Sequence, residues 1–324
     1  MKHILTLIFL LFLLPPTIPA IKLENRMPES VWQAEISLKI VPLYSRAFNG
    51  YGEEAPLQNL MLWDRGWYDL VEGELKREEK WLELKLAYGL TEDWVVEAMI
   101  PMVQKIQSSS LKFDAGTPDQ QKVISNLSSE ELNGLGDINI QFGKDLSYST
   151  TWHNRGGFTT RLPTGNKGMR RGISSNSIGE GHGSVGAFIH VTWYPLVHGI
   201  RNCFRIEGKN ELTGERETLE GEKVYYSAGH RADLYYSWSI ERQNVFAGTE
   251  LHYFQQSESK LPTGESNASF LKEINFEFGY GNLSELEQKP LSYPWQVRIG
   301  YTRPFAGQNT PLIHRWELSS TFLF

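Results

Sequence analysis

Apolar and polar residues alternate with a period of two in segment after segment of this chain. Over 32–40, Trp32, Ala34, Ile36, Leu38 and Ile40 share one face, and Gln33, Glu35, Ser37 and Lys39 share the other. Successive Cβ atoms of a strand point to opposite sides of its sheet, so this pattern predicts a strand with one apolar and one polar face. Over 82–90, Leu82, Leu84, Leu86, Tyr88 and Leu90 oppose Glu83, Lys85, Ala87 and Gly89. The turn Thr91-Glu92-Asp93 then leads into Trp94, Val96, Ala98, Ile100 and Met102, whose other face holds Glu97, and the two segments read as a hairpin. The alternation recurs at 138–142, 185–193, 204–211, 233–240, 273–280 and 295–302, and more weakly at 151–162 and 244–256. It ends with Trp316, Leu318, Ser320, Phe322 and Phe324 against Arg315, Glu317, Ser319 and Thr321.

The connections alternate in length as regularly as the side chains do in polarity. Short ones are expected near 91–93, 146–150, 195–201 and 241–243, with a longer one at 281–293. Long polar ones are expected near 44–79, 106–135, 163–183, 213–222, 257–269 and 304–312. About twelve strands with both ends on one side need five connections there and six on the other, the short-periplasmic, long-external rule of outer-membrane barrels. A soluble sandwich also alternates. Here, however, the apolar faces hold almost no charge, the polar faces mix both signs, and the strands run about 9–12 residues, enough to cross a bilayer when tilted. The fold class is therefore all-β: a transmembrane antiparallel up-and-down β-barrel of about 12 strands, with 10 and 14 as the neighbouring counts.

The start of the chain agrees with export. Met1-Lys2-His3 is basic, residues 4–14 are apolar apart from Thr6, and Pro15, Pro16 and Pro19 precede Ala20. A stretch of that length is too short for a spanning helix, which needs about 20 residues. Residues 1–20 are expected to be a signal peptide and 21–324 a single barrel domain in the outer membrane of a Gram-negative-type bacterium. The pI of about 5.8 and net charge of −6 argue against a nucleic-acid partner, and the single cysteine, Cys203, excludes an internal disulfide. A last strand closing on Phe324, with Trp316, Leu318 and Phe322 at alternate positions before it, resembles the signal read by the outer-membrane assembly machinery.

Several short motifs carry a family resemblance. Tyr88-Gly89-Leu90-Thr91-Glu92-Asp93-Trp94 is followed by Ile100-Pro101. Gly134-Leu135-Gly136-Asp137 opens the fourth expected strand, and Leu162-Pro163-Thr164-Gly165 is followed by Gly181-His182-Gly183-Ser184. In this order they resemble the outer-membrane transporter family associated with the meta-pathway of phenol degradation. The resemblance implies a barrel that passes a small, aromatic or apolar solute. Leu261-Pro262-Thr263-Gly264 repeats the third motif as shared turn chemistry, Pro fixing φ and Gly permitting φ > 0. Channels of the long-chain fatty-acid type carry an N-terminal hatch. Only residues 21–30 precede the first strand here, so any constriction is expected from side chains or from the 44–79 and 106–135 loops.

The candidate functional residues are the charges of the polar faces. Glu35, Lys39, Glu83, Lys85, Glu97, Asp137, Arg205, Glu207, Glu277, Arg298 and Glu317 are expected to line the lumen. No histidines stand at metal spacing, no phosphate loop or dinucleotide fingerprint occurs, and neither metal nor cofactor is expected. His182 and Ser184 share a strand face, as a nucleophile pair would, but their glycine-rich surroundings read as a flexible loop. Lys167, Arg170 and Arg171 form a small basic cluster that reads first as a solvated loop, with lipopolysaccharide phosphates or anionic solutes as its candidate ligands. The reading is a non-enzymatic channel for a small solute, surrounded by outer-membrane lipid and lipopolysaccharide. A closed structural or adhesive barrel and a lipid-modifying enzyme are the alternatives.

Overall fold

A computed structural model describes residues 30–323 apart from 63–69, 114–115, 150, 166–181, 196–198, 218–222, 228, 243, 262–263, 267 and 282–294. The expected signal segment, the Lys167/Arg170/Arg171 cluster and Phe324 lie outside the described residues. The alternating segments form twelve long strands: β1 (Trp32–Tyr44), β2 (Leu75–Gly89), β3 (Trp94–Ser109), β4 (Ile138–Tyr148), β5 (Trp152–Leu162), β6 (Ser184–Trp193), β7 (Ile200–Glu211), β8 (His230–Arg242), β9 (Val245–Gln256), β10 (Ser269–Gly281), β11 (Trp295–Gln308) and β12 (Arg315–Leu323). Each pairs antiparallel with the next, and β12 returns to β1 in a register running from Gln33 opposite Leu323 to Ile40 opposite Trp316. The sheet is closed, so none of the twelve has a free edge inside the ring.

Closure fixes what each face meets. The apolar faces point outward and stay exposed on the isolated chain: Ile36 is 47% accessible, Phe276 51% and Leu318 51%. A soluble monomer rarely shows a contiguous apolar patch above a few hundred Å². In hydrocarbon the same surface is at home, provided every backbone group is paired, which the closed ladder ensures. Aromatic rings mark the lower margin of this band. Trp32 lies against Tyr88 (4.6 Å between ring centres), Trp152 stacks on Trp193 (5.9 Å) and Tyr280 lies near Trp295 (6.0 Å), all at the strand ends away from the first long loop. These rings form the interface girdle of a membrane-spanning barrel.

The strands reach further outward on the long-loop side than the alternation suggested. β2 begins at Leu75, β3 runs to Ser109, and β11 continues through Pro304 to Gln308. The Gly134-Leu135-Gly136-Asp137 motif does not open β4. Residues Glu130–Leu135 form a separate short strand paired with the upper half of β3, from Met102 opposite Leu135 to Gln107 opposite Glu130. The lower half of β3 pairs with β4 instead, from Trp94 opposite Lys144 to Met99 opposite Asn139. Pro101 sits where the partner changes. A proline lacks the N–H that a continuous ladder would need, and here that position is the step between two partners. Gly136 completes the step by donating its N–H to the Pro101 carbonyl at 2.7 Å.

The long loops are not structureless. The first holds a hairpin, Arg46–Phe48 with Glu54–Pro56, and a helix, Leu57–Leu62. The second holds a helix, Pro118–Asn126. Its start was legible but unread: Thr117-Pro118-Asp119-Gln120 is a capping box with proline in the first turn, and Thr117 and Gln120 exchange side-chain-to-backbone bonds. Leu57, Leu62, Leu111, Val123, Ile124 and Leu127 pack together with Val41, Tyr44 and Leu75 at the external end of the wall. Thr310–Pro311, beyond β11, pairs with Arg46–Phe48 and ties the last loop to the first. The result is an apolar-cored cap standing on the mouth beside β1–β3. Leu57→Ala should cost about 2–4 kcal/mol of cap stability. We expect faster proteolysis within 45–74 while the heat-modifiable barrel band on a gel is unchanged.

Candidate functional site

The polar faces meet inside the barrel, and their charges are paired along and across the strands. Near the middle of the wall Lys85 on β2 bonds Glu97 on β3 at 2.9 Å. Arg205 on β7 reaches past two intervening strands to donate to Gln141 on β4 at 2.8 Å, and it also pairs with Glu207 at 2.7 Å. Because β4 and β7 are not neighbours, the first bond is a chord through the lumen. Arg298 on β11 lies 3.9 Å from both Glu35 on β1 and Glu277 on β10. Glu97 also lies within electrostatic reach of Arg155 on β5 and Arg205 on β7. Lys85, Glu97, Gln141, Arg155, Arg205, Glu35, Glu277 and Arg298 are thus a belt of inward charges and one amide around the middle of the bore.

This level rests on small residues. Gly143 and Gly157 stand opposite each other on β4 and β5, and Gly157 also faces Phe188 on β6. A Cβ on Gly157 would fall 1.9 Å from the Phe142 carbonyl oxygen and 2.8 Å from the Phe188 ring. The ring lies over the bare glycine backbone, and the Arg205 guanidinium lies over the ring at 4.7 Å from its centre. A cation over an aromatic face is held by the ring quadrupole, so the long Arg205 side chain has a fixed platform.

Beyond this belt the charges form further clusters. Asp233 on β8 is fully buried; it accepts two bonds from Arg231, both at 2.9 Å, and lies 3.1 Å from His252 Nε2. His252 Nδ1 faces Glu273 at 2.9 Å, and its ring stacks flat on Tyr235 at 4.1 Å. Arg315 approaches Glu273 at 3.8 Å. On the other side Arg161 binds Glu211 at 2.5 Å, and His182 Nε2 lies 3.1 Å from the same carboxylate and 2.8 Å from Arg161. Lys39 pairs with Glu83 at 2.6 Å and lies 4.0 Å from Glu317, bridging three adjacent strands. Lys209 pairs with Glu207 at 2.8 Å. At the foot of the bore Asp145 takes Arg155 at 2.6 Å and His153 at 3.0 Å.

Ten of the eleven residues expected to face the interior sit on inward positions of the strands and join these pairs. Asp137 precedes β4 and acts at the rim: it accepts from the Gly165 N–H at 2.9 Å and lies 3.9 Å from Arg161. The sequence reading missed Arg155, Arg161, Arg231, Asp233, His252, Glu273 and Arg315. The parity of each strand would have supplied them, but β5 carries too few apolar residues on its outer face for the pattern to stand out. His182 lies in the bend just before β6, at the loop edge, and Ser184 opens the strand, but neither is incidental: both are almost fully buried, and the histidine faces Glu211 and Arg161.

A cavity of about 500 Å³ opens at the outer end, between the cap and the start of β2, lined by Ser45, Arg46, Gln58, Gly73, Glu74 and Ser110 among others. Glu74, exposed at its edge, is held below the ordinary carboxylate range by the Lys76 ammonium bonded to it at 2.8 Å. No group of three or more histidine, cysteine or carboxylate side chains able to hold a metal occurs among the described residues.

No family model and no curated protein sequence matches the chain. Solved structures do match. An outer membrane channel from Pseudomonas putida F1 superposes with a TM-score of 0.67 at 11% identity, over 94% of this chain and 99% of that one. A KdgM porin (TM-score 0.38, 7% identity, 90% and 98% covered) and the β domain of the Bordetella autotransporter BrkA (0.42, 8%, 92% and 100%) follow at a distance. The first likeness is one of fold along nearly the whole of both chains. Together with the outward apolar band and the aromatic girdle it defines a membrane-spanning β-barrel with the fold of that outer membrane channel.

The buried Asp233 cluster should be a main determinant of barrel stability. Removing one partner of a buried ion pair costs about 3–5 kcal/mol, because the other charges are left uncompensated. Asp233→Ala is expected to lose an amount of that order in urea unfolding from detergent micelles, and Asp233→Asn, which keeps an acceptor for Arg231, to lose clearly less.

Proposed function

We propose that this protein is a channel for a small solute, with the paired charges at mid-barrel as its throat. The observation that carries this reading is the density of ionised side chains inside a closed wall. A dry interior holding Lys85, Glu97, Arg155, Arg205, Glu35, Glu277 and Arg298 would impose a desolvation cost of several kcal/mol for each ion. A water-filled bore avoids most of it, and polar interiors are the rule in conducting barrels. Charge pairs set across a lumen let small solutes pass while narrowing the path for larger ones.

The finer reading is a small aromatic solute, in keeping with the resemblance to the transporters associated with phenol degradation. Rings already lie in the bore beside cations: Phe188 under Arg205, Phe254 under Arg231 at 4.7 Å and Phe246 near Arg298 at 5.7 Å. A passing aromatic ring would find the same cation and ring-edge partners in succession. A second reading, a barrel kept shut from outside, draws support from the apolar cap on the external mouth. The lipid-modifying alternative loses its support, since its nucleophile pair is not assembled.

Single-channel recording in a planar bilayer tests the proposal. The intact protein should give discrete steps, and Arg205→Ala, which removes the chord, should raise unit conductance. The throat holds four cations against three carboxylates, so Glu35→Gln with Glu277→Gln should shift reversal potentials towards anion selectivity. Silence of both the intact protein and Arg205→Ala, with the barrel folded, would reject the channel reading in favour of the closed barrel.

A further inference from the structure

The outer face of the wall carries few cations, and most are answered. Lys76 and Lys80 on β2 pair with Glu74 at 2.8 Å and Glu78 at 3.1 Å. Lys144 lies over the Trp94 ring at the lower girdle. Lys272 on β10 and Arg303 on β11 differ. Both are exposed, and among the described residues neither forms an ion pair. They stand together: Ile274 is opposite Arg303 and Lys272 opposite Ala306. Lys272 and Arg303 are thus diagonal neighbours, with Cα atoms about 7–8 Å apart.

Their height on the wall is informative. On β10 the outward side chains below Lys272 are Ile274, Phe276, Phe278 and Tyr280, and on β11 those below Arg303 are Tyr301, Ile299, Val297 and Trp295. The two cations are the first charges above the apolar band on the side of the long loops. Aromatic rings flank them: the Lys272 ammonium lies 5.9 Å from the Tyr253 ring and 5.9 Å from the Phe270 ring, and Phe305 is exposed beside them. Three strands away, β2 and the short strand Glu130–Leu135 present Glu78 and Glu131 outward. Among the described residues, then, the outer surface of β10 and β11 is cationic where that of β2 and its neighbour is not.

We infer that Lys272 and Arg303 bind the phosphate groups of the phosphorylated glycolipid that forms the outer leaflet, its acyl chains lying on the apolar face of β10 and β11 below. Adjacent unpaired cations at the headgroup level, joined to an apolar surface sized for acyl chains, are complementary to such a lipid in charge and polarity. The aromatic frame holds the lysine ammonium at the interface while leaving its hydrogen-bond donors free. A soluble anion would use the cations but not the apolar face.

Native mass spectrometry of the folded full-length protein in detergent, titrated with bisphosphorylated lipid A, tests this. The intact protein should retain one lipid preferentially, and Lys272→Gln with Arg303→Gln should weaken that binding on the order of 30-fold, about tenfold or less for either change alone. Lys76→Gln with Lys80→Gln, on β2 three strands away, should leave it unchanged. Heat-modifiable migration of each variant establishes that the barrel is folded. Equal binding by the Lys272/Arg303 variant, or equal binding of dephosphorylated lipid A, would overturn the assignment. Displacement of the lipid by equimolar inorganic pyrophosphate would also overturn it, in favour of a free-anion site.

Discussion

The structure depends on one constraint: a backbone that crosses hydrocarbon has no water to bond, so each strand must find its partners in its neighbours. The pairing of β12 with β1 meets that requirement for the last two edges. Once the ring is shut, the two faces of every strand have different solvents, lipid outside and the bore inside. The alternation in the sequence is the imprint of that division. Where the ladder changes partners, at Pro101, the chain uses the one residue that has no N–H to leave unpaired.

The interior obeys a second rule that follows from the first. Side chains confined to a narrow bore cannot diverge into bulk water, so charges must settle among themselves. They do so between neighbours, as in Lys39 with Glu83, and across gaps, as in Arg205 with Gln141. The glycines beneath Phe188 are part of this arrangement, since the space they leave decides how deeply the ring sits and how far Arg205 extends from it. Throat and wall are built from the same residues.

How much of this was legible differs with the length scale. Strand count, the direction of each face, and the division into five connections on one side and six on the other follow from period-two patterning and loop length, both local properties. The pairing of Arg161 with Glu211, or of His252 with both Asp233 and Glu273, depends on the register and tilt of strands brought together only by folding. His182 illustrates the limit. Its glycine-rich context suggested a loop with incidental polar groups, whereas a carboxylate from the next strand holds it buried. The cap was hidden for a related reason. Its helices are short, and only Thr117-Pro118-Asp119-Gln120 carries a local signature, while the apolar cluster is assembled from two loops and the ends of β1 and β2.

The stack of Phe188 on paired glycines sets the Arg205 chord from residues of β4 to β7 alone. Among the described residues the external segments take no part in it. A barrel of this sequence given other long loops would therefore keep the same charge pairing at mid-wall.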